Sequence, residues 1–332
     1  MPPTPTIATY LIHRLQALGA RHVFGVPGDY VLGFYKALED SDLEVINTCD
    51  EQGAGFAADA YARFNGLGVV CMTYCVGGLK VANTTAQAYA EKSPVVVISG
   101  APGMNERLRN PLLHHKVRDF DTQLKVFEQL TVAATVLDNP QTAAREIDRV
   151  LSAAVQHKQP VYIELPRDMV NAPIVVEPHP ARPLPEPDPV VLREAVAEAL
   201  ERINAAERPV ILAGEEIQRS GLQGELMRLV EGSRLPVAAT ILSKSVVRED
   251  HPLYMGVYMG AMGRREVSDY IEGSDCVLML GVFMTDVNLG IFTAQLDPGR
   301  VINATGERLS VRYHAYDGIG LGDFLPALIA AQ

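Results

Sequence analysis

Residues 94–100 read Pro-Val-Val-Val-Ile-Ser-Gly, and this stretch decides the fold class. Four consecutive apolar residues, Val95 to Ile98, stand between a proline and a glycine, which favour turns. A strand with one face in water alternates apolar and polar residues, whereas a strand covered on both faces is apolar throughout. The run therefore predicts a buried strand of a parallel sheet, the arrangement found in α/β proteins.

Strand and helix patterns alternate on both sides of this run. Strands are predicted over residues 22–25, 43–47, 68–74 and 161–166, and helices over residues 4–18, 31–38, 53–64 and 78–89. Thr4 is expected to cap the first helix, with Pro5 at its first position. Repeated alternation of this kind predicts an α/β domain.

A proline-rich segment divides the chain. Residues 180–189 carry a proline at nearly every second position, which is typical of an extended, semi-rigid linker. We therefore expect two doubly wound parallel-sheet α/β domains, residues 1–170 and 191–332, joined by a Pro-rich linker over residues 171–190. In the second domain a helix is predicted over residues 191–204, strands over 209–213, 236–240, 276–280 and 300–303, and a closing helix over 323–329.

Composition excludes several classes of function. The 332 residues are 48% hydrophobic and carry a net charge of −11, which argues against binding to nucleic acid or to anionic membranes. No apolar run approaches the ~18 residues that span a bilayer, and no secretion signal is visible at the N-terminus. Composition alone therefore indicates an ordinary globular protein of two domains.

The cysteine pattern indicates free thiols. Cys71 and Cys75 lie on one predicted strand, about 13 Å apart, which is too far for a disulfide. Neither they nor Cys49 and Cys276 form a Cys-x-x-Cys pair, so a zinc site is not expected. We expect reduced cysteines in a cytoplasmic protein.

The first strand of the second domain lacks a nucleotide motif. Leu212-Ala213-Gly214 is followed by Glu215-Glu216, where a dinucleotide site would have a glycine-rich turn. Two acidic side chains would repel a pyrophosphate. The second domain is therefore expected to pack or regulate without a dinucleotide.

Three sets of polar residues are candidates for chemistry. Glu51 stands where a strand gives way to a helix, a position that also suits a carboxylate stabilised by free amide groups. Asp29 follows a predicted strand, where sites of open α/β sheets gather, but it could equally cap the next helix. The adjacent His114 and His115 point in different directions on a strand or a helix, which favours a loop or helix start lining a cleft. Metal binding by the histidines is not expected, because no third ligand stands at a telling distance in the sequence.

Taken in order, these motifs resemble the thiamine diphosphate-dependent pyruvate, indolepyruvate and phenylpyruvate decarboxylases. The first elements are also similar to those of acetolactate synthases, whereas Asp29 and the paired histidines narrow the resemblance to the decarboxylases. The motifs are Phe24–Asp29, Asp50-Glu51 with the Gly- and Ala-rich helix after it, Thr73–Gly78, Ala88–Pro94 and His114-His115.

The resemblance implies roles for these residues. Glu51 would share a proton with the pyrimidine ring of thiamine diphosphate, and Asp29, His114 and His115 would move protons and orient the substrate carboxylate. The implied cofactor pocket contains Glu51, Val26, Pro27, Gly28 and Thr73, and the small residues Gly53, Ala54, Gly55 and Ala57 would let the flat ring approach.

The resemblance also implies a part of the site that this sequence lacks. The family binds the diphosphate through Mg²⁺ with a Gly-Asp-Gly segment and a later Asn-Asn pair, and Asp317-Gly318 here lacks both the preceding glycine and the pair. Metal and diphosphate ligands are therefore expected on a C-terminal domain or chain outside these residues, and none is assigned here. The 332 residues alone are expected to bind the cofactor weakly and not to decarboxylate. The assembled protein is expected to be a homodimer or homotetramer.

The expected reaction is non-oxidative decarboxylation of a 2-oxo acid to an aldehyde and CO₂, with this chain supplying the pyrimidine half of the site. Two alternatives stay open. One is a carboligase of the acetolactate synthase type, for which the paired histidines are unexpected. The other is a non-catalytic scaffold that assembles with a catalytic partner.

Overall fold

The computed structural model describes residues 4–176 and 186–332. The chain divides into two compact units, residues 1–182 and residues 183–332. Residues 177–185 of the predicted linker lie outside the described residues. Residues 171–174, predicted as its start, pack on the first unit: the amide of Ile7 donates to the Ala172 carbonyl at 3.1 Å, and the amide of Ile174 donates to the Pro5 carbonyl at 2.9 Å.

The first unit is built on a six-stranded sheet in which every pairing is parallel. Its strands are β1 (His22–Val26), β2 (Glu44–Asn47), β3 (Gly68–Met72), β4 (Val95–Ala101), β5 (Ala133–Val136) and β6 (Val161–Pro166), in the order β2-β1-β3-β4-β6-β5. The apolar run at residues 94–100 becomes β4, and all its residues are buried. A strand in the middle of a covered sheet needs this composition.

Helices cover both faces of this sheet. They are α1 (Ile7–Ala17), α2 (Leu32–Glu39), α3 (Glu51–Asn65), α4 (Ala82–Ala90), α5 (Met104–Arg107), α6 (Thr122–Glu128) and α7 (Ala143–His157). The core on one face contains residues of α1, α2 and α7, and the core on the other contains residues of α3, α4 and α6.

Local boundaries differ from the sequence expectations in three places. Thr6, not Thr4, caps α1, because its hydroxyl accepts from the Thr9 amide and the Thr9 hydroxyl accepts in return from the Thr6 amide. β3 ends at Met72, so Cys75 lies in the following turn with φ of +50° rather than on the strand. The helix expected over residues 78–89 divides into a short 3-10 turn, Leu79–Val81, and α4. All four cysteines are free thiols.

The second unit has a seven-stranded, mostly parallel sheet. Its strands are β7 (Pro209–Ala213), β8 (Val237–Thr240), β9 (Tyr254–Tyr258), β10 (Cys276–Leu280), β11 (Val301–Ala304), β12 (Leu309–Val311) and β13 (His314–Tyr316), in the order β13-β12-β11-β10-β7-β8-β9. Its helices are α8 (Pro189–Ala205), α9 (Glu215–Arg219), α10 (Gln223–Ser233), α11 (Arg265–Glu272) and α12 (Leu321–Ala330). Only the pairings of β12 are antiparallel.

These two sheets confirm the predicted fold class of doubly wound, parallel α/β units. The sequence did not predict β5, β9, β12 or β13. Within the described ranges, no helix has both the length and the apolar composition that crossing a membrane requires.

Candidate active site

Every candidate residue of the first unit lies at one edge of its sheet. Because the strands are parallel, their carboxyl ends share that edge: Asp29 follows β1, Glu51 follows β2, Thr73 follows β3, and the histidines lie in the connection after β4. The chain passes from β1 outward to β2 and then returns to β3 on the other side of β1. A crevice opens where the connections diverge in this way, and ligands of open α/β sheets bind there.

A close backbone approach brings Asp29 and Thr73 together at this crevice. A Cβ on Gly28 would lie only 2.9 Å from the Thr73 hydroxyl oxygen, so only glycine allows the turn after Val26 and Pro27 to sit against Thr73. The Thr73 hydroxyl then donates to Asp29 Oδ1 at 3.4 Å. Asp29 does not cap the next helix, since the cap position of α2 is Val31 and no side chain bonds there. The capping alternative for Asp29 is therefore wrong.

His114 is held against Asp29 by several contacts. Its Nε2 makes a short hydrogen bond to Asp29 Oδ2. The buried Tyr30 stacks on the His114 ring with centroids 4.9 Å apart, and its hydroxyl donates to the His114 carbonyl at 3.1 Å and lies 3.3 Å from Nδ1. Burial raises the pKa of Tyr30, which keeps its hydroxyl protonated as a donor. An imidazole between a carboxylate and a phenol can take up and release a proton without turning.

His115 is held less tightly. It lies in the same turn with φ of +68°, which turns its ring to within 4.7 Å of the His114 ring, edge to face. Among residues 4–176 and 186–332 its ring nitrogens have no hydrogen-bond partner. The second histidine is therefore available to a ligand, and the prediction of a loop at this position is confirmed.

The structure corrects the argument against a third ligand near the histidines. Ligand atoms of Asp29, His114 and His115 lie within 4.8 Å of one another, although Asp29 is 85 residues from His114 in the chain. Two nitrogen donors and one exposed carboxylate suit a transition metal better than Mg²⁺, which prefers oxygen ligands. This cluster is therefore not a plausible magnesium site.

Glu51 is the first residue of α3 but not its cap. Asp50 Oδ1 accepts from the Gly53 amide at 2.7 Å and performs that role. The Glu51 side chain is only 17% exposed, and its Oε2 lies 3.2 Å from Lys80 Nζ. The reading of Glu51 as a simple helix-start carboxylate therefore omits its main contact, which is an ion pair with another loop.

The small residues after Glu51 serve packing rather than an open surface. Ala54 and Gly55 are buried, and a Cβ on Gly55 would overlap the side chain of Thr84. Gly55 therefore permits the close approach of α3 to α4. The expectation that Ala54 and Gly55 admit a flat ring is wrong.

A buried polar network contacts the segment that carries the two histidines, and the sequence analysis did not predict it. Glu164 on β6 is fully buried and accepts from Arg107 at 2.9 Å and from the Tyr162 hydroxyl at 2.8 Å. Gln123 donates to the same Tyr162 hydroxyl at 2.6 Å, and its carbonyl accepts from the Cys75 amide at 2.8 Å. Burial raises the pKa of Glu164, while the charge of Arg107 opposes that rise. A charged residue inside the apolar run of β6 was the available signal.

This network anchors both ends of the histidine segment, residues 107–120. Arg107 begins it, bonded to Glu164, and its guanidinium also lies 5.7 Å from the ring centre of Phe120 at the other end. Lys116 lies over the same ring at 4.2 Å, and the Tyr74 hydroxyl donates to the Phe120 carbonyl at 3.3 Å. The position of the histidines therefore depends on the Arg107–Glu164 pair.

The corresponding crevice of the second unit, between β7 and β10, is closed by its own carboxylates. Buried Glu215 accepts from the Phe283 amide at 3.3 Å and from the Asn288 side chain at 2.6 Å. Glu216 accepts from the Gly306 amide at 2.7 Å. Backbone amides of this kind hold phosphates in nucleotide-binding proteins. Here carboxylates occupy them, which agrees with the lack of a glycine-rich motif.

Burial raises the pKa of Glu215 above its ordinary 4.5, which makes the stability of the second unit pH-dependent. An acid with a raised folded-state pKa costs stability progressively as the pH rises above its unfolded value. The stability advantage of the native protein over Glu215→Gln is therefore expected to shrink as the pH rises from 4.5 toward 8. Urea unfolding at several pH values measures it, with exposed Glu201→Gln as the control. An advantage that grows with pH would contradict this assignment.

Fold and site together define an α/β protein that gathers a carboxylic acid, an aspartate–histidine pair and a second histidine at one sheet edge. Two family models match the chain: "Thiamine pyrophosphate enzyme, N-terminal TPP binding domain" over residues 5–123, and "Thiamine pyrophosphate enzyme, central domain" over residues 196–316. The chain belongs to the thiamine pyrophosphate enzyme family, with its N-terminal and central domains.

Relatives with assigned names cover almost the whole chain. It is 38% identical to an indole-3-pyruvate decarboxylase of Azospirillum brasilense, 34% to an alpha-keto-acid decarboxylase of Mycobacterium leprae and 32% to pyruvate decarboxylase 1 of Pisum sativum, in each case over 97% of its length. The chain spans 59%, 57% and 56% of those three proteins, respectively.

Proposed function

We propose that this chain supplies the pyrimidine-binding half of a thiamine diphosphate-dependent 2-oxo acid decarboxylase. The observation that carries the proposal is the His114–Asp29 pair at the crevice between β1 and β3, on the same sheet edge as Glu51. The relatives named above are decarboxylases of 2-oxo acids, which supports the same reaction for the whole protein. The products would be an aldehyde and CO₂.

Glu51 would be the carboxylic acid that shares a proton with the aminopyrimidine ring of the cofactor. Its carboxyl group is largely sheltered, yet it stays at the sheet edge where Val26, Gly28 and Thr73 also lie. A sheltered acid can share a proton with a ring nitrogen because water does not compete strongly for it. When bound, thiamine diphosphate supplies the carbon nucleophile that attacks the 2-oxo group. Glu51 would hold the proton whose position activates that carbon.

The histidines and Asp29 would handle the substrate. Imidazoles gain or lose a proton near neutral pH, and the bond from Nε2 to Asp29 Oδ2 fixes the orientation of the His114 ring. His114 would orient the substrate carboxylate in the crevice. His115, whose ring nitrogens have no partner among the described residues, would exchange a proton with the carbon that loses CO₂. Thr73 would fix the orientation of Asp29 through its hydroxyl.

The metal and the assembly are part of the proposal. We take the metal to be Mg²⁺, bound with the diphosphate by a C-terminal domain or chain outside these residues. The described residues offer only a nitrogen-rich cluster at His114, which is unsuited to that ion. A homodimer or homotetramer would complete the site, and free thiols are compatible with a cytoplasmic location.

Product analysis on the holoenzyme that contains this chain tests the proposal. With thiamine diphosphate and Mg²⁺ saturating, pyruvate, phenylpyruvate and indolepyruvate are supplied separately, and aldehyde and CO₂ are measured. Stoichiometric aldehyde from at least one of them is the expected result. A 2-hydroxy-3-oxo acid product would identify a carboligase instead. Cofactor binding without turnover of any 2-oxo acid would favour a scaffold.

Replacing either histidine is expected to separate activity from stability. His114→Ala and His115→Ala should each lower turnover by roughly 10²-fold or more, the usual scale for a general acid–base group. Melting temperature should change little for His115→Ala, because its exposed ring makes no hydrogen bond in the described structure. Turnover and melting temperature are measured on the same samples. A large fall in melting temperature with turnover per folded molecule intact would assign the histidines a structural role.

A further inference from the structure

One oxygen of the Glu51 carboxyl group is in contact with a lysine. Lys80 lies in the 3-10 turn between β3 and α4, and its Nζ is 3.2 Å from Glu51 Oε2. The same nitrogen is 3.5 Å from Oδ2 of Asp50, the neighbouring residue. Lys80 therefore stands between two carboxylates, one of which is the acid that the proposed function requires.

The contact with Glu51 conflicts with proton sharing. The Lys80 ammonium group donates a hydrogen bond to the carboxyl oxygen, whereas a bound pyrimidine nitrogen needs a proton held on a carboxyl oxygen. One oxygen cannot serve both partners in the same geometry. On the role proposed for Glu51, Lys80 must therefore leave Oε2 if the ring nitrogen is to bind there.

Asp50 offers a fixed alternative partner. Its Oδ1 accepts from the Gly53 amide at 2.7 Å as the cap of α3, which holds the carboxyl group in place and leaves Oδ2 toward Lys80. Lys80 is half-exposed and its side chain has four rotatable bonds, so it can change partner by rotation alone. No movement of the backbone is needed.

We propose that Lys80 is a displaceable counter-ion of Glu51, which contacts both Glu51 and Asp50 in the cofactor-free protein and keeps only Asp50 when the pyrimidine ring binds. Lys80 is thus a positioning residue that competes with the cofactor for Glu51. The inference rests on the role proposed for Glu51. Its energetic effect is modest because the pair is partly exposed to solvent.

Calorimetric titration of thiamine diphosphate into the holoenzyme stripped of cofactor, with Mg²⁺ saturating, tests this exchange. Lys80→Met removes the competitor and is expected to tighten binding by roughly two- to five-fold. Asp50→Asn keeps a good helix cap but removes the charged alternative, so it should weaken binding by a similar factor. The double variant with Asp50→Asn and Lys80→Met should bind the cofactor no more weakly than Lys80→Met alone. Lys80→Arg should keep the native affinity.

The controls separate this exchange from general charge effects. Lys36→Met removes a lysine that pairs with Glu39 and Asp40 on α2, and it should leave the affinity unchanged. The tightening by Lys80→Met should fade at high salt, where the competing pair is screened in the native protein. Weaker binding by Lys80→Met would mean that Lys80 holds the cofactor itself, and unchanged binding would mean that it does not compete; either overturns the inference and leaves the role of Glu51 intact. No cofactor binding by the native holoenzyme would overturn both.

Discussion

Glu51→Gln is expected to lower the rate of hydrogen exchange at C2 of the bound cofactor, and turnover with it, by about 10²- to 10⁴-fold in the holoenzyme. An amide has nearly the shape of the acid but cannot share its proton with a ring nitrogen. The exchange rate, followed by NMR in heavy water, reports this step directly. Glu44→Gln is a matched control, because Glu44 lies at the opposite end of β2 and pairs with His22 at 3.2 Å.

The same variant should fold normally. Asp50, not Glu51, caps α3. In the variant, Lys80 still has the carboxylate of Asp50 as a partner. The melting temperature is therefore expected to stay within a few degrees of the native value, because the amide has nearly the volume of the acid and remains polar at this partly buried position. A native exchange rate in Glu51→Gln would remove Glu51 from the mechanism. A collapse in melting temperature would show instead that it is structural.

The central strands could be predicted because their composition leaves no alternative. The run at residues 94–100 is apolar throughout, and only a strand covered on both faces needs that composition. The missed strands β5, β9 and β13 are edge strands of their sheets, and β12 lies next to an edge. β12 and β13 have three residues each, and β9 is mostly half-buried with Gly256 at φ of +131°, beside a register irregularity. Short, partly exposed strands carry too little pattern to be recognised.

The candidate site residues were identified from motifs in the sequence. Their arrangement in space could not be predicted in that way. Asp29 and His114 are 85 residues apart, and Lys80 and Glu51 are 29 apart. Such contacts depend on which strands are neighbours, and the order β2-β1-β3-β4 is a property of the whole fold. The same limit explains why a third ligand near the histidines was judged absent. Tyr30 was missed for another reason: an aromatic residue beside Asp29 is read as core until its hydroxyl is seen to bond His114.

Arg107→Met is expected to destabilise the first unit by about 3–5 kcal/mol at neutral pH, the largest effect on stability that we expect from a single change. Arg107 is the charged partner of Glu164, whose side chain is 1% exposed. Within the part of the chain that the structure describes, removing it leaves the Tyr162 hydroxyl as the one hydrogen-bond donor to a buried carboxylate. Urea unfolding of the native protein and the variant measures the difference in their free energies of unfolding. Arg228→Met, which breaks an exposed pair with Glu225, should cost less than about 1 kcal/mol.

The loss should depend on pH in a definite direction. Burial already raises the pKa of Glu164, and the charge of Arg107 opposes the rise, so the variant raises that pKa further. Such an acid costs stability as the pH rises from its unfolded value toward its folded value. The destabilisation by Arg107→Met is therefore expected to be smaller at pH 5 than at pH 8. Glu164→Gln in the same chain should recover part of the loss at pH 8, because it removes the charge that has no partner.

The Arg107–Glu164 pair is expected both to stabilise the first unit and to position its histidines. Arg107 and Phe120 hold the two ends of the segment that carries His114, so the variant should also lower turnover per folded molecule. As the pH falls toward 5, a growing neutral fraction of Glu164 would restore part of the stability but not the bond that fixes the segment, and turnover should stay low there. If stability and turnover instead recover together at acid pH, the Arg107–Glu164 pair stabilises the fold without positioning the histidines.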